Sequence, residues 1–348
     1  MDRPSTDNLA EIVVPTTAWD VRNIKVAGGR TLKATPVFDT YWRFAAERQQ
    51  LFIRRVFGSP PPWTEDPVLR RYRFTNAYRA SDRVSQYLIQ HVLYEGDQTP
   101  GETFFRAMLF KLFNKIETWQ ALASRFGQPI AATYQPDEYA RVLDDLLDRQ
   151  SRVYSAAYII PSPNLGHPRK HRNHLHLLNR MLLDEVPSLI AAAKSLEAVY
   201  KIFKQYPSIG PFLAFQFAID LNYSAFLDFS EMDFVVAGPG ARSGIRRCFT
   251  DTGGLSDEDV IRAVSDLCET EFSRQDIDFP DLWGRPLQLI DLQNLFCEVD
   301  KYSRVVHPSS PGSSTRTRIK QRYRPSTEPL PQWYPPKWNL NLPTLLLA

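Results

Sequence analysis

Cysteine is scarce in this chain: Cys248, Cys268 and Cys297 are all it has. None sits in a C-x-x-C pair, and three thiols cannot build a four-thiolate iron–sulfur or zinc site. The same scarcity argues against a disulfide framework and favours a reducing compartment. Charge of one sign is lacking too. A formal net charge of +3 over 348 residues excludes a broadly polycationic protein and leaves room for a local basic groove. Charge alone therefore does not suggest a nucleic-acid partner. No apolar run approaches a membrane span, the first residues lack the apolar core of a secretory signal, and no internal repeat is visible. The expectation is a cytoplasmic protein, nuclear if the source is eukaryotic, with no membrane partner.

What is present is apolar and aromatic. Hydrophobic residues make up 43% and aromatics 12%, enough to bury one large core or two modest ones. Most aromatics should be core, with some free for recognition. Residues 1–37 read as an N-terminal arm with short β-like pieces at 11–14 and 21–26. Residues 38–305 read as one helical body. Tyr41, Phe44 and Leu51 recur at helical intervals, Ser59-Pro-Pro-Pro-Trp63 breaks the run, and Thr64-Glu-Asp-Pro67 opens a new helix with proline in an early position. Further helical stretches are expected at 76–93, 103–122, 137–154 and 174–204. Residues 306–348 read as a basic, Pro- and Ser-rich tail with Trp333 and Trp338. Its basic run at 315–324 is either an extension hugging the body or a strap along a nucleic-acid backbone.

Gln205-Tyr-Pro-Ser-Ile-Gly-Pro-Phe-Leu-Ala-Phe-Gln-Phe-Ala-Ile219 carries the most information. Pro207 and Gly210 punctuate two apolar runs, and Phe212, Phe215 and Ile219 keep helical spacing. Two helices joined by an Ile-Gly-Pro turn form a helix-hairpin-helix, whose turn can point N–H groups at a phosphate. Ser208 and Gly210 are thus candidate DNA contacts. An acidic segment, Ser230-Glu-Met-Asp233, follows. Together these resemble the core of the helix-hairpin-helix DNA glycosylases, which makes DNA the leading substrate. In that family an Asp at a helix start after the hairpin faces the flipped nucleotide. Asp233 matches the position, Asp228 and Glu231 are rivals, and the plain alternative is a helix cap. Lyase-type members carry Lys just after the hairpin glycine; here Pro211-Phe212-Leu213 follows, so a Schiff base from that position is unavailable.

Other polar constellations interrupt the apolar pattern. Helical spacing from Tyr72 to Leu88 would set Asn76, Arg79 and Arg83 near one face with Asp82 beside it. Such a face can clamp phosphates, with Tyr87 against a base, or be a surface salt-bridge ladder. Asn114, Lys115, Glu117 and Thr118 interrupt an apolar helix and read equally as a solvated stripe. Asp291, Asn294 and Glu298 share a helical face; they could position an amine, for which Asp291 and Glu298 are the candidates, or bind a metal, although a surface face fits the pattern better than a metal site. His167, His171, His174 and His176 tempt a zinc reading, but the spacing fits no closed site and Arg169, Lys170 and Arg172 would repel a cation. A phosphate-facing loop using those three cations is preferred, with Arg242 a further DNA contact.

Tyr72-Arg-Phe-Thr-Asn-Ala-Tyr-Arg-Ala-Ser-Asp-Arg-Val-Ser-Gln-Tyr-Leu88, Phe113-Asn-Lys-Ile-Glu-Thr-Trp119, the hairpin at Ile209-Gly-Pro211 and Leu295-Phe-Cys-Glu-Val-Asp-Lys-Tyr302 together resemble one group. It is the DNA base hypermodification proteins of the α-glutamyl/putrescinyl-thymine pyrophosphorylase type, which share a helical domain with 5-hydroxymethyluracil DNA kinases. The match runs from about Phe38 to Tyr302. The resemblance implies an all-α, glycosylase-like fold acting on double-stranded DNA with a flipped base. It implies that an amine, an amino acid or a polyamine, displaces pyrophosphate from an activated 5-hydroxymethyluracil made by an upstream kinase. No cofactor is implied beyond a divalent metal that could aid pyrophosphate departure. Arg79, Arg83 and Lys115 would then meet the pyrophosphate, and Asp233, with Asp82 near the cations, would take the proton of the incoming ammonium. Tyr78, Tyr87 or Trp119 would hold the base. The competing expectations are a monofunctional glycosylase and a non-enzymatic DNA-binding module.

Overall fold

The computed structural model describes residues 20–156, 160–310, 318–324 and 332–346. The expected β-like piece at 11–14 and the basic residues 315–317 lie outside them. Helix dominates. The order is β1 (Arg22–Lys25), β2 (Thr31–Ala34), α1 (Pro36–Val56), α2 (Pro67–Arg71), α3 (Arg83–Tyr87), a π-helical turn (Leu88–Leu93), α4 (Pro100–Phe113), α5 (Ile116–Phe126), α6 (Pro136–Asp148) and α7 (Lys170–Leu183). Then follow α8 (Val186–Ala191), α9 (Leu196–Phe203), α10 (Pro211–Asn222), α11 (Pro239–Cys248), β3 (Phe249–Asp251), α12 (Asp257–Asp266), α13 (Cys268–Arg274) and α14 (Leu289–Val306). The β arm is short, as expected, and its strands form an antiparallel sheet in the order β1-β2-β3. No helix among the described residues is long and apolar enough to cross a membrane.

The chain forms two compact units. The first holds the described residues of Met1–Ala77, Pro239–Pro280 and Leu292–Glu328. Its long helix α1 starts where Thr35 accepts the Val37 N–H and Pro36 fills a position that needs no donor. The buried stripe of α1 sends Phe38 against Phe249, Tyr41 against Phe296 and Trp42 against Phe272, with ring centroids 4.7, 4.6 and 4.9 Å apart. Burying each such ring contributes roughly 1.5–3 kcal/mol. Gly244 lets α11 approach α14, for a β-carbon there would sit 2.0 Å from the Phe296 carbonyl oxygen. Residues 318–324 of the basic tail lie along the body of this unit: Tyr72 and Arg322 form an antiparallel bridge, and the Tyr323 N–H donates to the Arg71 carbonyl at 3.0 Å.

The second unit holds the described residues of Tyr78–Gly238, Asp281–Asp291 and Pro329–Ala348. Its centre is α4, packed by α7, α8 and α10. Phe104 stacks on Phe203 of α9, which meets Phe217 of α10 edge-on. The helices α9 and α10 pack together as a hairpin, with Ser208 in the left-handed region (φ 64°) and Gly210 as the exposed residue before Pro211. From Leu213 onward α10 is buried on every side, including Gln216, Asp220 and Asn222. That burial of polar groups makes α10 the spine of the site.

Two expectations need correction here. Residues 76–93 are not one amphipathic helix: Arg79–Ser81 is a 3-10 turn, α3 starts only at Arg83, and a π turn ends the stretch. The helical face of Asn76, Arg79 and Arg83 therefore does not exist. The apolar stretch 103–122 is broken at Asn114, whose φ of 50° ends α4 and allows α5 to start at Ile116.

Candidate functional site

The site is built within the second unit from α10 outward. Asn222, at the end of α10, grips Phe229 twice: its Oδ1 accepts the Phe229 N–H at 2.9 Å and its Nδ2 donates to the Phe229 carbonyl at 2.8 Å. This fixes the entry to the turn that follows. Glu231 is turned inward at 4% exposure, while Met232 and Asp233 face out. Opposite stands a two-residue reversal. Leu282 and Arg285 pair in both directions at 3.2 Å, with Trp283 (φ 50°) and Gly284 (φ 96°) as the tip. Positive φ at both central residues is what such tight hairpins demand, and Gly284 meets it without strain. The Tyr78 hydroxyl donates to the Arg285 carbonyl at 2.8 Å and steadies the reversal.

Arg285 reaches Glu231 at 2.8 Å, and its guanidinium lies 3.9 Å from the centre of the Trp338 ring. These residues, with Asn222, Asp228, Phe229, Ser230, Gln288 and Lys337, line a polar cleft of about 230 Å³. Burial pushes the Glu231 carboxyl up to about 7, against the opposing pull of Arg285. Burial also pushes the Lys337 ammonium down to about 8. That ammonium donates to the carbonyls of Asn222, Ser224 and Leu227, so a cation sits at the carboxyl end of α10, where the helix dipole favours it.

A buried ionic network backs the cleft. The Arg79 guanidinium pairs with Asp220 at 2.7 Å, donates from Nε to Gln216 at 3.1 Å and reaches the Tyr223 hydroxyl at 3.3 Å. Lys111 pairs with the other oxygen of Asp220 at 3.0 Å, and burial lowers its pKa. Asp291, in the first turn of α14, accepts the Arg79 N–H at 2.7 Å and the Gln288 N–H at 3.0 Å. Burial pushes its carboxyl up to about 6. The surface-face alternative for Asp291 and Glu298 does not hold, since they are 4% and 7% exposed.

Of the residues singled out in the sequence, this arrangement brings together Arg79, Asp291 and the rival acids Asp228 and Glu231. Asp233 does not start a helix. It lies on an exposed turn, and α11 begins only at Pro239. Arg83 is exposed, Asp82 half-buried, and Lys115 pairs with Glu117 at 3.4 Å, apart from the Arg79 network. Asn76 is buried in the first unit and accepts from Arg48 at 2.6 Å. There Glu298 accepts the Thr75 N–H at 3.0 Å and pairs with Lys301 at 2.7 Å. Also in that unit, Arg242 lies 3.7 Å from both Asp257 and Glu258. Tyr87 packs its ring on Phe110.

The His-rich stretch is a loop only as far as Arg169. From Lys170 it is helix α7, and its cations turn to protein acids: Arg169 and Arg172 each reach Asp144 at 2.6 Å, and Lys170 lies over the Tyr154 ring. His171 pairs with Asp144, His174 bonds Tyr154 and the Pro161 carbonyl, and His176 stacks on His167. Among the described residues, no three His, Cys, Asp or Glu side chains gather into a metal-holding group.

Sequence reading missed Arg285, Lys337 and the role of Trp338, because a turn and a distant segment deliver them. Asp220 was missed as well, although its place as an acid inside the apolar run Phe217-Ala-Ile-Asp-Leu221 was a signal that could have found it. An acid there demands a buried cation.

The fold and site place the chain in a class of largely helical domains that carry a polar cleft. Comparison with known families makes this specific: residues 35–312 match the family model described as the 5-hmdU DNA kinase helical domain. The chain belongs to that family. It is 29% identical over 289 residues to a 5-hmdU DNA kinase of Bacillus phage SP10, an alignment covering 76% of this chain. It spans 45% of the phage protein's length. No solved structure matches.

Proposed function

We propose that this chain modifies a 5-hydroxymethyluracil-derived base in DNA, and that the cleft around Glu231 is where an amine displaces pyrophosphate from the activated base. The observation that carries the reading is a buried carboxyl on the wall of a polar cleft, 2.8 Å from a guanidinium, and burial pushes its pKa up to about 7. Family membership supports the base, since the phage relative is named for 5-hmdU in DNA.

In the proposed step the amine nitrogen bonds to the exocyclic methylene carbon. The carbon–oxygen bond breaks, and its electron pair leaves with pyrophosphate. Glu231 accepts the proton that the nitrogen sheds, a role suited to a base titrating near the working pH. Arg285 faces the departing oxygens, where a preorganised cation counts most. The base leaves the stack to reach the cleft, and the α9–α10 hairpin presents its exposed turn at Ser208 and Gly210 to the DNA backbone.

The test is mass spectrometry of nucleosides digested from DNA that carries pyrophosphorylated 5-hydroxymethyluracil, after incubation with pooled amines. An amine-bearing thymidine with released pyrophosphate is expected, and Glu231→Gln should lower its formation about 10²–10⁴-fold. An abasic site would mean a glycosylase. Unchanged nucleosides on bound DNA would mean a binding module. The relative's name favours one other reading, in which the helical domain presents the base for phosphorylation. A phosphorylated nucleoside formed with ATP from DNA bearing 5-hydroxymethyluracil would select it.

A further inference from the structure

The segment 332–346 lies beyond the residues matched by the family model, which end at 312. Yet it supplies Lys337 and Trp338 to the cleft. Its course is fixed by separate anchors within the second unit. The Trp333 N–H donates to Gln86 Oε1 at 2.6 Å, and Gln86 in turn donates to the Ala80 carbonyl at 2.8 Å. The buried Tyr334 hydroxyl meets Ser81 and Gln332 at 2.7 Å each. The Asn341 N–H donates to the Trp283 carbonyl at 2.9 Å. Trp338 also meets Tyr223 edge-on at 5.4 Å. A segment so anchored presents its side chains as a rigid wall.

We infer that this segment is a working part of the site, and that Trp338 is a positioning residue that holds the Arg285 guanidinium against Glu231. The inference rests on the reading of the cleft as the working site, not on the reaction assigned to it. Arg285 sits on a two-residue reversal and carries a long, rotatable side chain. Its guanidinium has the Trp338 ring at 3.9 Å and the Glu231 carboxylate at 2.8 Å. An aromatic face attracts a guanidinium and fixes its plane, so the ring selects the rotamer that points at the acid. Glu231 also feels Asp291, Arg79 and Lys337, and Asp228 stands 3.8 Å from Lys337. Loosening Arg285 alone leaves those groups in place and weakens one pull that favours the ionised acid.

The experiment is a carboxyl titration of the full chain labelled with ¹³C-glutamate, with Glu231→Gln used to assign the Glu231 signal. No DNA or amine is present. In Trp338→Ala the Glu231 carboxyl should titrate about half to one pH unit higher than in the wild type. Trp338→Phe, which keeps an aromatic face, should recover most of the shift. Trp338→Leu fills the volume without that face and should reproduce the alanine result even if the alanine variant fails to fold. An unmoved Glu231 titration in folded Trp338→Leu overturns the inference. Product assays then separate the two readings. A moved titration with no wild-type product would sink the reaction and keep the positioning role. Intact product with an unmoved titration would do the reverse.

Discussion

Asp300 and Glu231 are buried almost equally, at 2% and 4% exposure, yet they live differently. Asp300, in the first unit, accepts from Arg247 and from Ser243 at 2.8 Å each and pairs with Arg304. Glu231, in the second unit, takes a 2.8 Å bond from Arg285 on the wall of an open cleft, and burial raises its pKa to about 7. Residue class and burial are similar; the number of partners and the access to a cavity are not. A buried acid saturated by donors is a structural member. A buried acid kept close to its protonated form beside a cavity is poised to exchange a proton.

The sharpest way to break this contrast is at the structural acid. Asp300→Ala leaves the Arg247 guanidinium, only 2% exposed, without its carboxylate. Removing one partner of such a buried pair should cost about 3–5 kcal/mol. Urea unfolding of the variant against wild type measures it. A loss below about 1 kcal/mol would mean that the Asp300 cluster is not the structural counterpart of Glu231.

A smaller effect, of opposite sense, is expected at Glu231. Burial pushes its carboxyl up to about 7 in the folded chain, from an ordinary value of 4.5. A raised acid pKa means that the folded chain binds more protons between those limits. The stabilisation is then complete below pH 4.5 and lost as pH rises through 7. The swing is about 3 kcal/mol as an order of magnitude. Glu231→Gln cannot ionise, so it should lack this swing. Comparing denaturant midpoints of the two proteins at pH 5 and pH 8 should show the variant gaining on wild type at the higher pH. Parallel curves would mean that the ionisation of Glu231 is not coupled to folding.

How legible was this from sequence? The helical course was, because apolar spacing in Phe38–Phe52 and in the α9–α10 hairpin has one physical solution, a buried face. The short strand at 22–25 also fell where the β-like piece at 21–26 was expected. Local periodicity failed at 76–93: apolar neighbours there are buried by loop and π-turn geometry, which mimics a helical stripe. Glu231 and Asp228 were visible only as rivals, because which acid of a turn faces inward depends on the grip of Asn222 on Phe229. Arg285 and Lys337 were invisible, since nothing local ties residues 54 and 106 positions from Glu231 to the same cleft.

The smallest expected effect makes the cleanest discrimination. Asp233 stands two residues from Glu231, on the same turn, but its side chain is exposed while that of Glu231 is buried. A surface substitution away from special features usually changes stability by less than about 0.5 kcal/mol. Asp233→Asn should stay within that range and should leave the yield of modified nucleoside within about twofold of wild type, whereas Glu231→Gln should abolish most of it. If Asp233→Asn instead lost activity as severely as Glu231→Gln, the proton acceptor would be the exposed acid. The inward cleft would then be a structural pocket, and the proton would leave through the solvent-facing side of the turn.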